Sequence, residues 1–273
     1  MDTLLRHIAD CNNAGLPGKR LAFRLGATQV GWVLPDFARA LGDVPILRVD
    51  AGGVTLDDAA ALPGIVRDLA NAGHVRWRGE AFDVRAAPDG PMLAQIDRGA
   101  LPKFGILAVG VHVNGLVRRP DGLHLWVARR AADKLLDPGK LDHLVAGGVS
   151  AGMTPQATLV KEAGEEASIP PALAATAVPV GRISYAMTRA EGLRRDFLHC
   201  YDLHLPPEFV PRPADGEVAG FELWPIERAL AEAGAGDAFK FNVNLVLIDL
   251  FLRLGMIEGA AAQSLRAALD GAR

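Results

Sequence analysis

The spacing of apolar and polar positions divides the chain into short helices and strands. Residues 2–10 predict a helix with Leu4, Leu5 and Ile8 on one face and Asp2 or Thr3 as its cap. "NNAGLPGK" reads as a loop. "RLAFRLGATQVGWVL" reads as extended segments turning at Gly26, and "PDFARALG" as a short helix closed by Gly42. "DVPILRVDAGGVTLD" reads as a strand and turn. "TLDDAAALPGIVRDLANAG" predicts a helix in two pieces, broken at Pro63–Gly64 and stopped by Gly73. "VRWRGEAFDVRA" alternates as a strand pair. Residues 1–103 therefore read as a small α+β domain.

The pattern changes near residue 100. "GILAVGVHVNGLVRR" and "LHLWVARRA" are two β-rich runs joined by "RPDG", and "DKLLDPGKLDHLVAGG" reads as a loop. "VPVGRISYAMT" and "RRDFLHCYDLHL" are strands around the turn "RAEG", followed by the Pro-rich loop "PPEFVPRPADGE". "VAGFELWPI" is a strand running into a helix over 227–233, and "FNVNLVLIDLFLRLGMI" closes the chain as an apolar helix. The expected class is α/β (α+β): over residues 104–273, a mixed sheet lies between layers of helices.

Between the second β-run and the third lies a helix of unusual charge. Thr154 suits its N-cap and Pro155 its first turn, and the helix extends to about Ala167. Val160, Ala163, Gly164 and Ala167 fall on one face; Glu162, Glu165 and Glu166 fall opposite, at spacings i, i+3 and i+4. Like charges so placed cost a few tenths of a kcal/mol per pair, and they lie at the helix end that disfavours anions. A hard divalent cation reverses that sign, because Mg²⁺ takes oxygen ligands and keeps waters or phosphates beside them. Gly147 and Gly148 precede the helix, where bare backbone can approach a ligand closely.

Composition narrows the class. Of 273 residues half are hydrophobic, and 29 Lys and Arg stand against 32 Asp and Glu, a net charge of −3. That balance argues for neither a nucleic-acid coat nor a polybasic membrane surface. Cys11 and Cys200 lie far apart in no metal spacing. The first fifteen residues are amphipathic, unlike a signal peptide, and no apolar run is long enough to span a bilayer. The expected compartment is the cytoplasm.

The segment 147–169 resembles the Nudix box, G-x5-E-x7-R-E-U-x-E-E-x-G-U with U aliphatic. Gly147 takes the first position, Glu162, Ala163, Glu165 and Glu166 the E-U-x-E-E core, and Ile169 the last. Met153 stands in place of the first Glu, Lys161 in place of the Arg and Ser168 in place of the second Gly. "GVHVNG", "LWVARR", "LDHLVAGG", "CYDLHLP", "FVPRPADGEV", "FELWPIE" and the N-terminal "FRLGATQVGWVLPDFARAL" resemble one Nudix subfamily, termed thiamine pyrophosphokinase-like, whose members carry an extra N-terminal domain.

The resemblance implies a Nudix α/β/α sandwich and Mg²⁺-dependent, or Mn²⁺-dependent, hydrolysis of a diphosphate linkage in a small molecule. The implied substrate is thiamine diphosphate or its oxidised derivatives, cut to the monophosphate. Glu162 and Glu166, then Glu165, are the expected metal ligands, and one carboxylate could instead take a proton from the attacking water. Glu217 in "ADGEV" is the further catalytic candidate. Gly147, Gly148, Arg129, Arg130 and Lys161 are candidates to hold the substrate; successive strand residues point to opposite faces, so at most one of the two arginines should face the site. Lys161 could equally pair with a helical Glu. His143 could line the pocket, and Trp32, Trp126, Tyr185 and Trp224 are the available flat rings. A homodimer is common in this fold. Hydrolysis of a nucleoside diphosphate derivative and a non-catalytic binding module remain open alternatives.

Overall fold

A computed structural model describes residues 1–271. The chain opens with helix α1 (Asp2–Cys11) and then builds a four-stranded sheet from β1 (Leu21–Leu25), β2 (Thr28–Val33), β3 (Leu47–Asp50) and β4 (Gly53–Leu56), ordered β2-β1-β4-β3. Helices α2 (Pro35–Gly42) and α3 (Leu62–Asn71) turn their apolar sides onto this sheet. Pro63 lies in the first turn of α3 and starts that helix rather than breaking it: its missing N–H is one the first turn leaves unbonded anyway. A single 3-10 turn, Ala59–Ala61, precedes it. The alternation in 75–86 yields one strand, not two. β5 (Ala81–Val84) pairs with β6 (Ala94–Asp97), while residues 76–80 are held in a loop by side-chain bonds described below. The short helix α4 (Leu101–Phe104) ends in left-handed Gly105 and leads into the second unit.

There β7 (Leu107–Arg119) is the central strand. It runs parallel to β12 (Gly192–His204) along Leu107–Leu116 and antiparallel to β8 (Gly122–Arg130) at its far end. β11 (Val178–Arg189) extends the sheet beyond β12, and β13 (Val218–Pro225) beyond β8. The expected loop 133–148 contains two short strands. β9 (Leu141–Asp142) pairs with β8, and β10 (Val145–Gly148) pairs with β7. These lie where β7 and β8 diverge and would otherwise leave backbone groups unbonded.

Helix α5 (Pro155–Ala167) and the short α6 (Pro171–Ala174) cover one face of the sheet. Helices α7 (Ile226–Ala235), α8 (Val243–Arg253) and α9 (Gly259–Asp270) cover the other. The chain therefore does not close on α8. α1 belongs to this second layer: Leu4, Ile8 and Cys11 are buried with α8 and α9. The outcome is a mixed sheet between helical layers, preceded by a separate α+β core. Among the described residues no helix is long and apolar enough to cross a membrane.

Candidate active site

Helix α5 begins as its sequence demands. The Thr154 hydroxyl accepts the Ala157 N–H at 3.1 Å, and Pro155 occupies the first turn. The helix packs on β10 through Leu159, Ala163 and Ala167. Its apolar stripe is thus centred on Leu159 rather than Val160, and the acidic side is rotated with it. As a result the three glutamates do not share one environment. Glu166 is buried, Glu162 is mostly covered, and Glu165 is half-exposed.

Glu166 Oε2 accepts the Ala146 N–H at 3.0 Å, while Oε1 has no donor among the described residues. Burial raises the Glu166 carboxyl well above the ordinary range, and the charges of Asp142, Glu162 and Glu217 add to the effect. Burial also raises Glu162, although Lys161 draws it back down. Lys161 reaches Glu165 at 2.6 Å and Glu162 at 3.1 Å, so it is the cation that offsets part of the cluster. Its own pKa is raised, first by the hydrogen bond to Glu165.

The two glycines have separate reasons. A Cβ on Gly147 would lie 2.5 Å from Glu162 Cγ, and one on Gly148 would lie 2.4 Å from Cζ of Phe82 on β5. Gly147 makes room for a carboxylate, and Gly148 lets the N-terminal unit close onto the box. At the helix end, Ser168 adopts the left-handed conformation at φ 54°, where the box pattern has Gly. Its hydroxyl donates to Arg212 O at 2.9 Å.

Glu217, about fifty residues beyond α5, is brought to the same place. It lines a small cavity with Arg130, Lys134, Asp142, His143, Ala146 and Glu166. Burial alone would raise the Glu217 carboxyl, but the ion pair with Lys134 lowers it, helped by the charges of Arg98 and Arg130. The two arginines of β8 separate as strand alternation requires. Arg129 turns outward, with its exposed guanidinium 3.7 Å from Glu222. Arg130 turns inward and is largely engaged: it donates to Asp142 at 2.7 Å and to the carbonyls of Leu136 and Asp137. It pins the 131–140 loop beside the cavity and keeps one hydrogen on each terminal nitrogen free.

Sequence reasoning passed over Asp142 and Lys240. Asp142 lies between Arg130 and Lys240, the latter at 3.6 Å. Burial opposes its charge, yet Lys240 and Arg130 hold its carboxyl far below the ordinary range. The only signal for Lys240 is a lone cation between Phe239 and Phe241. His143 is buried, with Nδ1 2.8 Å from Nδ1 of His112. Burial pushes His143 down to about 4 and His112 well below its usual value, so both are neutral. His112, Asp142 and His143 bring possible ligand atoms within 4.8 Å of one another. They fit a metal poorly, because Asp142 is already neutralised by two cations and the ring nitrogens bond each other. The oxygen donors Glu162 and Glu166 fit a hard cation better: their charges are raised in energy by burial and repulsion, and one Glu166 oxygen is free.

A larger cleft of about 700 Å³ adjoins the Gly147–Gly148 segment. The N-terminal unit supplies Phe82, Asp83, Arg85 and Asp89 to its wall; the second unit supplies Met153, Arg182, His199 and Tyr201 among others. Met153 therefore faces the cleft, not the carboxylates. None of Trp32, Trp126, Tyr185 or Trp224 lines it. Trp126, Tyr185 and Trp224 are core residues, and the rings that do line the cleft are Phe82, His199 and Tyr201.

Comparison with known proteins matches residues 109–244 to the NUDIX domain and residues 3–108 to a domain of unknown function, DUF4743. Nudix hydrolase 24, chloroplastic, of Arabidopsis thaliana is 36% identical over 268 residues, 93% of this chain and 73% of that protein. Nudix hydrolase 20, chloroplastic, of the same plant is 40% identical over 220 residues, 77% of this chain but only 59% of the relative's own length. Among solved structures, DR0079 from Deinococcus radiodurans has 27% identity and a TM-score of 0.47, covering 62% of this chain and 97% of that one.

Proposed function

We propose, from the premise that the chain belongs to the Nudix hydrolase family, that it hydrolyses a small-molecule diphosphate with the help of a divalent cation. Enzymes of this family generally use divalent metal ions. The observation that carries the reading is the buried Glu166, with one oxygen held by Ala146 and one free, lining one cavity with Glu217 and standing one helical turn after Glu162 on α5. Glu162 and Glu166 would hold Mg²⁺ or Mn²⁺, with Glu165 at the solvent side. When bound, the metal supplies charge neutralisation for the diphosphate and for the attacking water.

The chain's own groups have distinct tasks. Glu217, kept ionised by Lys134, is the group able to take a proton from water at the cavity. Lys134 and the free hydrogens of Arg130 offer cationic donors to phosphate oxygens. Lys161 balances Glu162 and Glu165 on the outer side of α5. The cleft, of ordinary size for a small-molecule site, receives the group attached to the diphosphate.

For that group the reading is thiamine diphosphate or an oxidised derivative, cut to the monophosphate and phosphate. Its support is the subfamily resemblance across both units and a cleft lined by the rings of Phe82 and Tyr201, with Asp83 paired to Arg85 and Asp89 to Arg182 on its wall. The test is phosphate release from thiamine diphosphate, its oxidised forms, ADP-ribose and nucleoside diphosphates at equal concentration. A higher kcat/KM for the thiamine compounds is expected. A nucleotide at the head of the ranking would replace the substrate assignment and leave the chemistry unchanged.

A further inference from the structure

Asp97, at the end of β6, is a buried carboxylate with an uncommon set of partners. It accepts the N–H groups of Arg78 at 2.9 Å, Gly79 at 2.7 Å, Glu80 at 3.2 Å and Gly99 at 2.8 Å. These bonds fold residues 78–80 against 98–99. The approach is so close that a Cβ on Gly99 would lie 1.7 Å from Arg76 O. The side chains displayed by this arrangement are cations: Arg76, Arg78 and Arg98. Neither Arg76 nor Arg78 has an acidic partner among the described residues. Asp97 and Glu80 offset part of the charge of these three arginines, and the cationic excess that is left favours a further anion beside the loop.

Their position says which anion. Arg98 Nη1 bonds Glu80 Oε2 at 2.8 Å, and Glu80 Oε1 accepts the Ser150 hydroxyl at 2.9 Å, two residues past Gly148. The Arg98 guanidinium also lies 5.7 Å from the centre of the Phe82 ring, which rests on Gly148. The Ala151 N–H donates to Ala81 O at 2.8 Å and continues the same seam. The cationic loop thus borders the segment that runs from the carboxylate site to the cleft. Two electrostatic effects agree with this crowding. Burial and then repulsion from Arg76 and Arg98 lower the Arg78 guanidinium, and Arg98 helps Lys134 keep Glu217 low.

We propose that Arg98, with Arg78 beside it, is the N-terminal unit's contribution to substrate binding: a cationic grip on the substrate's diphosphate at the seam beside Gly148 and Ser150. Arg98 is about half exposed, and with one nitrogen on Glu80 it keeps further donors for phosphate oxygens. The proposal rests on the diphosphate-hydrolase reading and explains why a unit without carboxylate ligands of its own lies against the box.

The test is calorimetric binding of methylenediphosphonate, a diphosphate that cannot be hydrolysed, to the full chain in the presence of Mg²⁺. Arg98→Ala should weaken binding about tenfold, and Arg78→Ala with Arg98→Ala further, consistent with the loss of charge-assisted hydrogen bonds. Arg98→Lys should recover part of the loss. Glu80→Gln, which disturbs the Ser150 contact but removes no cation, should stay within about threefold of wild type. With a cleaved substrate, Arg98→Ala should raise KM and leave kcat nearly unchanged. Wild-type affinity in Arg98→Ala would overturn the proposal. So would a Glu80→Gln loss equal to that of Arg98→Ala, since the arginine would then act only by docking the two units. A wild type that binds the diphosphonate through Arg98 yet cleaves no diphosphate would remove the hydrolase reading and leave the grip standing.

Discussion

Glu166 illustrates how much a single residue's role depends on one helix rotation. The E-U-x-E-E spacing made all three carboxylates legible as a cluster, but not which of them is buried. That depends on α5 resting on β10 through Leu159, and residues one position apart on a helix differ by only about 100°. With its folded pKa above the ordinary value, Glu166 favours the metal-free fold at low pH, and that contribution fades as pH rises through the raised value. A cation must displace the proton, so divalent-metal affinity should climb as pH rises from 5 to 8, as measured by titration calorimetry. Glu166→Gln keeps an acceptor for the Ala146 N–H and removes a buried charge. Its metal-free thermal midpoint should equal or exceed that of wild type, while the increase given by Mg²⁺ disappears. Ser168 and Lys161, two departures from the box, are also explained locally. The first tolerates a left-handed cap with help from Arg212, and the second pairs with Glu162 and Glu165 of its own helix.

At the scale of elements, long periodic segments were legible and short, context-made ones were not. β7, β8, β11, β12, α5 and α8 lie close to where alternation or helical spacing puts them. β9 and β10 carry too little pattern to be legible, the first having two residues and the second ending in two glycines; their strand form comes from the open backbone of β7 and β8. β6 was missed because its partner β5 lies across a loop rather than a tight turn. The contact between β5 and β10 gives a prediction. Gly148→Ala should cost about 1–3 kcal/mol, because the new methyl meets the Phe82 ring. Adding Phe82→Ala should recover part of that cost, so the double variant should be more stable than the sum of the single losses. Denaturant midpoints of the four proteins decide this, and strict additivity would show that the two groups do not meet.

Over the whole molecule, the two units share the work unequally. The carboxylates, the small cavity and most of the sheet belong to the second, while the first supplies one wall of the cleft. No sequence pattern announced that division, because Phe82, Asp83 and Asp89 form no motif and meet Met153, Arg182 and Tyr201 only in three dimensions. Buried polar groups tie the layers together: His143 to His112, Asn242 to Tyr185 at 3.3 Å, and Tyr185 to Asp196. His143, at about 4 in the folded chain, stays neutral where an unfolded histidine takes up a proton. The His143 contribution to folding stability should therefore fall by ~2 kcal/mol or more as pH drops from 6.5 to 4, and His143→Gln should remove that component of the pH dependence in urea titrations. The central claim is that α5 holds a catalytic cation, and one measurement tests it most directly: phosphate release from thiamine diphosphate and its oxidised forms, with Mg²⁺ and with chelator, by wild type and Glu166→Gln. The account predicts release that requires the metal and falls at least about a hundredfold in the variant. Equal release with chelator present, or by Glu166→Gln, would contradict it.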